Sequence, residues 1–452
     1  MPLALILIIG IFTLGYLAII AEHTLKIDKT APAIMSAVLC WTVYILFAGD
    51  LIAIETLPAW FLEEHANLDQ EALIHTWVGE HQLLSFLGEI GSILFFLLGA
   101  MTIVEFVDAY GGFAIITDRI KATSTVTLLW MIAVLAFFMS AALDNLTTTI
   151  VMISLIRKLI ASRQERLFFA GMIVVAANAG GAWSPIGDVT TTMLWIGGQI
   201  TTLAIVKSLF LPSLICLLVP MLYLTWSLRG QTIHPPQAMP YKQDADQVTR
   251  HHRNIIFTVG ILGLLFVPIF KTVTHLPPFM GMMLSLSVLW VVSEIIHHRA
   301  DYDDDTELHI TRVLKRIDTP SVLFFLGILL AVSALEATGL LASLASTLDE
   351  SIGNINVIVF MIGLMSAIID NVPLVAATMG MYDLSVYPTD APMWEFLAYS
   401  AGTGGSCLII GSAAGVAAMG MERISFFWYL KHIAPLALMG YIGGAVFYQW
   451  VY

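Results

Sequence analysis

Charge is scarce in this chain. Of its 452 residues only 12% are Asp, Glu, Lys or Arg, about half the share of a soluble globular chain, which excludes a solvated surface over most of the molecule. Cysteine is nearly absent: Cys40, Cys216 and Cys407 lie far apart in apolar or Gly-rich runs. That spacing gives neither a disulfide framework nor a metal motif, and we read the three as small packing residues. No HExxH, phosphate loop or nucleophile-base pair stands out, so neither an enzyme nor a cofactor is expected. With a formal charge of −13, no nucleic-acid partner is expected either. The first 21 residues lack a basic n-region and are long enough to span, so they read as a transmembrane helix and not a cleaved signal.

What is present is hydrophobicity, at 58% of residues. Stretches such as 2–21, 208–228 and 277–296 reach the roughly 20 apolar residues that cross a bilayer as a helix. The expected class is an all-α polytopic membrane protein whose first partner is the lipid bilayer.

The few basic residues set an expected topology. Residues 49–82 contain seven acids and no Lys or Arg, which assigns that loop to the outside. Lys26, Lys29 and the polar stretches 229–253 and 299–316 belong inside. Both ends of 122–156 are basic, with Arg119 and Lys121 before it and Arg157, Lys158, Arg163 and Arg166 after it. A single crossing cannot have both ends on one side, whereas a re-entrant hairpin turning near 143–149 can. Region 354–382 is flanked by acids only, so its break at 368–373 is expected in a hairpin from the outside. The expected first repeat, 1–228, has spans near 2–21, 31–48, 83–107, 167–200 and 203–228 and a hairpin at 122–156. The second, 254–452, has spans near 254–270, 277–297, 321–338, 396–420 and 433–451 and a hairpin at 354–382. A cytoplasmic connector, 229–253, joins them, and both termini are expected outside.

Five crossings per half invert the second half, and inverted repeats leave weak internal symmetry. Three blocks match in order. ILFFLLGAMTIVEFVDAYGG (93–112) resembles VLFFLGILLAVSALEATGLL (322–341); SAALDNL (140–146) matches SAIIDNV (366–372); NAGGAWSPIGD (178–188) matches GTGGSCLIIGS (402–412).

The second and third blocks carry the chemistry. A carboxylate at mid-membrane costs about 2.5–3.5 kcal/mol on insertion scales, so Asp144 and Asp370 at matching positions point to a task. Capping a half-helix does not require an acid, because Asn145 or Asn371 could cap as well. Interrupted helices expose carbonyl ends that coordinate Na+ in transporters. Asp144, Asn145, Ser140 and Thr147 in one half, and Asp370, Asn371 and Ser366 in the other, make an oxygen set for a small monovalent cation. The expected Na+ or Li+ ligands are Asp144, Asn145, Asp370 and Asn371. Asp188 faces Ser412 in the repeat and is the candidate proton carrier, or the cap of a helix starting at Val189. Asn178, Thr190 and Thr191 are secondary candidates; Glu89, Thr403 and Ser406 are accessory ones. A carboxylate that holds Na+ or H+ but not both enforces exchange by competition, provided it titrates near the working pH. His251-His252 and His297-His298 read as solvated loop residues, with pH sensing the alternative.

SAALDNLTTTIVM, AANAGGAWSPIGDVTTT, SAIIDNVPLVAA and the Gly-rich block after Ser400 together resemble the NhaD-type sodium/proton antiporters over essentially the whole chain. The resemblance implies Na+ or Li+ efflux against H+ uptake across a bacterial inner membrane, and a role for the polar residues of these motifs. It also implies a fold similar to the sodium/dicarboxylate symporters, which are typically homodimers with a scaffold and a mobile transport domain. Their hairpin tips read Ser-Asn-Thr, where this chain has Asp-Asn-Leu and Asp-Asn-Val. The added carboxylates disfavour the alternative cargo, an anion or dicarboxylate.

Overall fold

The computed structural model describes residues 2–117, 124–233, 248–300, 308 and 310–452. Arg119, Lys121, most of the expected connector and much of 299–316 therefore lie outside the described residues. Among the described residues the chain is helical with no strand, and one isolated antiparallel bridge joins Ser124 and Thr232. Seven helices among the described residues are long and apolar enough to cross a membrane, or up to nine if each of two bent helix pairs is one span. The chain is a multi-pass membrane protein.

The elements used below are α1 (Leu3–Ile20), α2 (Thr30–Leu46), α3 (Leu83–Ala109), α4 (Thr125–Leu143), α5 (Asn145–Leu159), α6 (Arg163–Gly181), α7 (Val189–Ile196), α8 (Thr202–Ser227), α9 (Arg250–Thr274) and α10 (Pro278–Ala300). They continue with α11 (Thr319–Ala337), α12 (Leu340–Ile352), α13 (Ile355–Met365), α14 (Asn371–Met381), α15 (Pro392–Gly404), α16 (Ala413–Glu422), α17 (Phe426–His432) and α18 (Ala434–Val451).

The chain divides into two compact units. The first comprises residues 1–94, 318–353 and 376–386. Here α2 packs along α11, and the contact is close because Gly327 has no side chain: a Cβ there would lie 2.6 Å from the Ile34 nitrogen. Small residues at helix crossings serve this purpose in bilayers, where lipid is as apolar as the core. Trp41 Nε1 donates to the Leu330 carbonyl at 2.9 Å across the same seam. Ile8, Cys40, Tyr44, Val332 and Leu335 fill the core beside it, so Cys40 is the packing residue expected. Gly327→Val should force the two helices apart and lower stability by about 1–3 kcal/mol, read as a lower melting temperature in detergent.

The acidic stretch 49–82 is more ordered than its composition suggests. Short helices run over Ala59–Glu64 and Gln70–Thr76, and a π-helical turn over Trp77–Gln82. Trp60, Phe61, His65, Trp77 and His81 pack ring against ring there, Trp77 and His81 stacking at 5.6 Å.

The second unit comprises residues 95–317, 354–375 and 387–452. Its centre is α6, which α4, α5, α15 and α16 all contact. The apolar run 167–200 is interrupted: α6 ends at Gly181, residues 182–188 are non-helical apart from turns, and α7 follows. The run 396–420 is interrupted in the same way between α15 and α16. Each half has a further break, at Asp144 between α4 and α5 and at 366–370 between α13 and α14. The histidine pairs are not loop residues. His251 and His252 lie in α9, while His297 and His298 lie in α10, and His297 is buried. Both helices outrun their apolar stretches by about a turn, since polar residues continue a helix once it has started.

Candidate ion site

Three of the breaks meet around one buried polar network. Asp188 is the N-cap of α7, accepting from the Thr190 N–H at 3.1 Å. Its other oxygen accepts from Asn145 Nδ2 at 2.8 Å, and the same amide donates to Asn178 Oδ1 at 3.0 Å. Asn178, fully buried in α6, donates to Ser406 Oγ and Ser412 Oγ, both at 2.9 Å. One unbroken chain of bonds thus joins the start of α5, the last turn of α6, the cap of α7 and the break before α16. Asn145 Oδ1 accepts no hydrogen bond from a described residue, which leaves an amide oxygen for a cation.

Asp144 caps α5, Oδ1 accepting from the Thr147 N–H at 2.8 Å and Oδ2 from the Thr147 hydroxyl at 2.9 Å. Its backbone has φ 82° and ψ 160°. That region is nearly confined to glycine and costs a side-chain residue about 1–3 kcal/mol. A side-chain residue therefore stands where glycine would be unstrained. Asp370 accepts from the Val372 N–H at 3.2 Å. Asp144 and Asp370 both act electrostatically on Asp188, so three carboxylates share this region of the second unit. Asn371 Nδ2, Thr148 Oγ1 and Thr149 Oγ1 are buried without a hydrogen-bond partner among the described residues.

The candidates named from sequence divide accordingly. Asn145, Asn178, Asp188 and Ser406 are bonded into one network, and Thr147 holds Asp144. Thr190 contributes its backbone N–H, while the Thr191 hydroxyl bonds the Asp188 carbonyl and the Thr403 hydroxyl the Tyr399 carbonyl. Ser140 donates to the Ala177 carbonyl at 2.6 Å, and Ser366 to the Gly363 carbonyl at 2.7 Å and the Ala401 carbonyl at 3.1 Å. These two serines fasten one break to another. Glu89 belongs to the first unit. Ser412 was not among the candidates. Its signal was its position opposite Asp188 in the matched blocks.

The two halves use the same devices at matched positions. A Cβ on Gly180 would collide with the Phe137 carbonyl, and one on Gly404 with the Gly363 carbonyl. One on Gly187 would lie 2.8 Å from the Ser140 oxygen, and one on Gly411 2.5 Å from the Ser366 oxygen. Asp188 and Ser412 are both N-caps with φ −148°.

A family profile described as CitMHS, citrate transporter, matches residues 16–395. The chain belongs to this family. Over 97% of its length it is 46% identical to "Sodium/proton antiporter 1" of Arabidopsis thaliana, covering 71% of that protein. To "Sodium/proton antiporter 2" of the same plant it is 44% identical, with 97% of each chain covered. To "Na(+)/H(+) antiporter NhaD" of Vibrio cholerae it is 30% identical over 96% of its length and 88% of that protein. The NhaD-type resemblance of the motifs is thereby borne out. The CitMHS chain is a transporter and not an enzyme, and its similarity to the sodium/proton antiporters spans the interrupted helices just described.

Proposed function

We propose that the chain is a secondary active antiporter that exports Na+, or Li+, in exchange for H+ by alternating access. The observation that carries this reading is the buried Asp188–Asn145–Asn178 network beside Asp144. Its hydrogen bonds come from amides and a backbone N–H, none from Lys or Arg. Oxygen atoms with spare lone pairs suit a small hard cation, and the relatives' names as sodium/proton antiporters agree. Na+ and H+ compete for Asp144, Asp188 and Asp370, so holding one expels the other. Asn145, Asn178, Asn371, Thr147, Thr190 and Thr191 supply further oxygens or orient the acids. Ser140 and Ser366 keep the breaks in register, and Thr403 and Ser406 support the second break.

The architecture we propose is two inverted repeats, 1–228 and 254–452, joined by 229–253, each with five spans and one re-entrant hairpin tipped by Asp-Asn. The matched serine ties, glycine approaches and caps support it. Both termini then face outside, in a bacterial inner membrane, and the chain works as a homodimer. No cofactor enters the cycle.

The family description favours a second cargo, a citrate-like anion. Three carboxylates at the site oppose it, because an anion would add charge to theirs. The test is a preformed pH gradient in inverted vesicles. Added Na+ or Li+ should collapse it at alkaline pH; collapse by citrate with none by Na+ would favour the anion reading.

A further inference from the structure

Five side chains outside the ion site form a second charged cluster in the same unit. Glu422, the last residue of α16, is buried and accepts from Arg157 Nε at 2.7 Å and Arg166 Nε at 3.2 Å. Arg163 gives its guanidinium to the Glu422 and Arg423 carbonyls at 3.4 and 3.1 Å, and Arg157 also donates to the Met421 carbonyl. Arg423 is exposed, and its side chain has no partner among the described residues. These residues line an open cleft of about 510 Å³.

The charge does not balance. Four arginines and a single acid line the cleft; two of the guanidiniums bind that carboxylate, and the remaining acceptors are neutral carbonyls. We propose that this cleft is a binding site for a phosphate-type anion, either an anionic lipid headgroup or free phosphate. Guanidinium forks match the geometry of phosphate oxygens, and such bonds are the strong, charge-assisted kind. The topology read from the basic residues directs this end of the helices toward the cytoplasm, where anionic lipid gathers Arg side chains.

The location gives the site a consequence. Arg157, Arg166 and Glu422 lie on α5, α6 and α16, the helices whose other ends carry Asn145, Asn178 and the Ser412 cap. At 1.5 Å per residue the cluster is roughly 15–18 Å along each helix from the ion network. A bound anion braces the three helices that build the site.

The test uses the full chain in detergent and reads its unfolding midpoint as inorganic phosphate, short-chain phosphatidylglycerol or the zwitterionic short-chain phosphatidylcholine is added at fixed ionic strength. The midpoint should rise with phosphatidylglycerol, and also with phosphate if free phosphate suffices, but not with phosphatidylcholine. Arg423→Ala, which removes no bond of the fold, should weaken the response roughly tenfold. Glu422→Gln, which adds net positive charge, should strengthen it if the variant folds. No rise with either anion, or a response in Arg423→Ala equal to the wild type's, would overturn the proposal. The readout involves no Na+ or H+ movement, so it stands apart from the antiport reading.

Discussion

Asp144→Asn abolishes exchange, lowering Na+-driven proton movement by about a hundredfold or more, while the protein stays folded in the membrane. Asparagine keeps an acceptor for the Thr147 N–H, so the cap survives. It loses the carboxylate that, on the proposed reading, trades a proton for a cation. Asp144→Gly sharpens the point, because glycine relieves the positive φ and costs only a few tenths of a kcal/mol as a cap. Its melting temperature should match or exceed the wild type's while its exchange is lost. A variant more stable and inactive separates the ion-handling role of this carboxylate from any structural one. Wild-type exchange in Asp144→Asn would remove Asp144 from the mechanism. Asp370→Asn is expected to be inactive as well, by the same measurement.

Asp188→Ser also abolishes exchange, and it does so by making the first half resemble the second. Ser412 holds the equivalent cap position with the same φ and accepts from the Gly415 N–H at 3.2 Å. Serine at 188 can therefore cap α7, and the stability cost should stay within about 1 kcal/mol. What disappears is one of the two acceptors of Asn145 Nδ2, Asn178 Oδ1 being the other, and the only acid of the two Gly-rich breaks. If Asp188 served merely as a cap, transport in vesicles would persist in this variant. Loss of transport with a preserved melting curve assigns the carboxylate to the cation and proton cycle.

The features legible in the sequence were local ones. Asp144-Asn145 and Asp370-Asn371 are visible because an acid-amide pair within an apolar run contradicts its surroundings, and Gly180, Gly181, Gly404 and Gly405 announce interrupted helices. That Asn178 joins Ser406 and Ser412 was not legible, since it depends on two breaks more than 200 residues apart meeting in space. Composition also misdirected. The acids of 49–82 suggested a loop where short helices and an aromatic-histidine cluster form. Glu422, at the end of an apolar stretch, gave no sign that it gathers Arg157 and Arg166. The helices α12 and α17 were not legible either, because Ser, Thr, Asp and Glu interrupt the apolar residues of α12, and α17 offers only the five residues Phe426–Leu430 before Lys431 and His432, too short a run to mark a span.

Competition between Na+ and H+ for one set of carboxylates is the core of the account, and it can be read without a membrane. Purified protein in weakly buffered detergent solution at alkaline pH, with a pH indicator, should release protons on addition of Na+ and none on addition of choline. Asp188→Ser should release far fewer. Na+ binding without proton release, or undiminished release from Asp188→Ser, would contradict it.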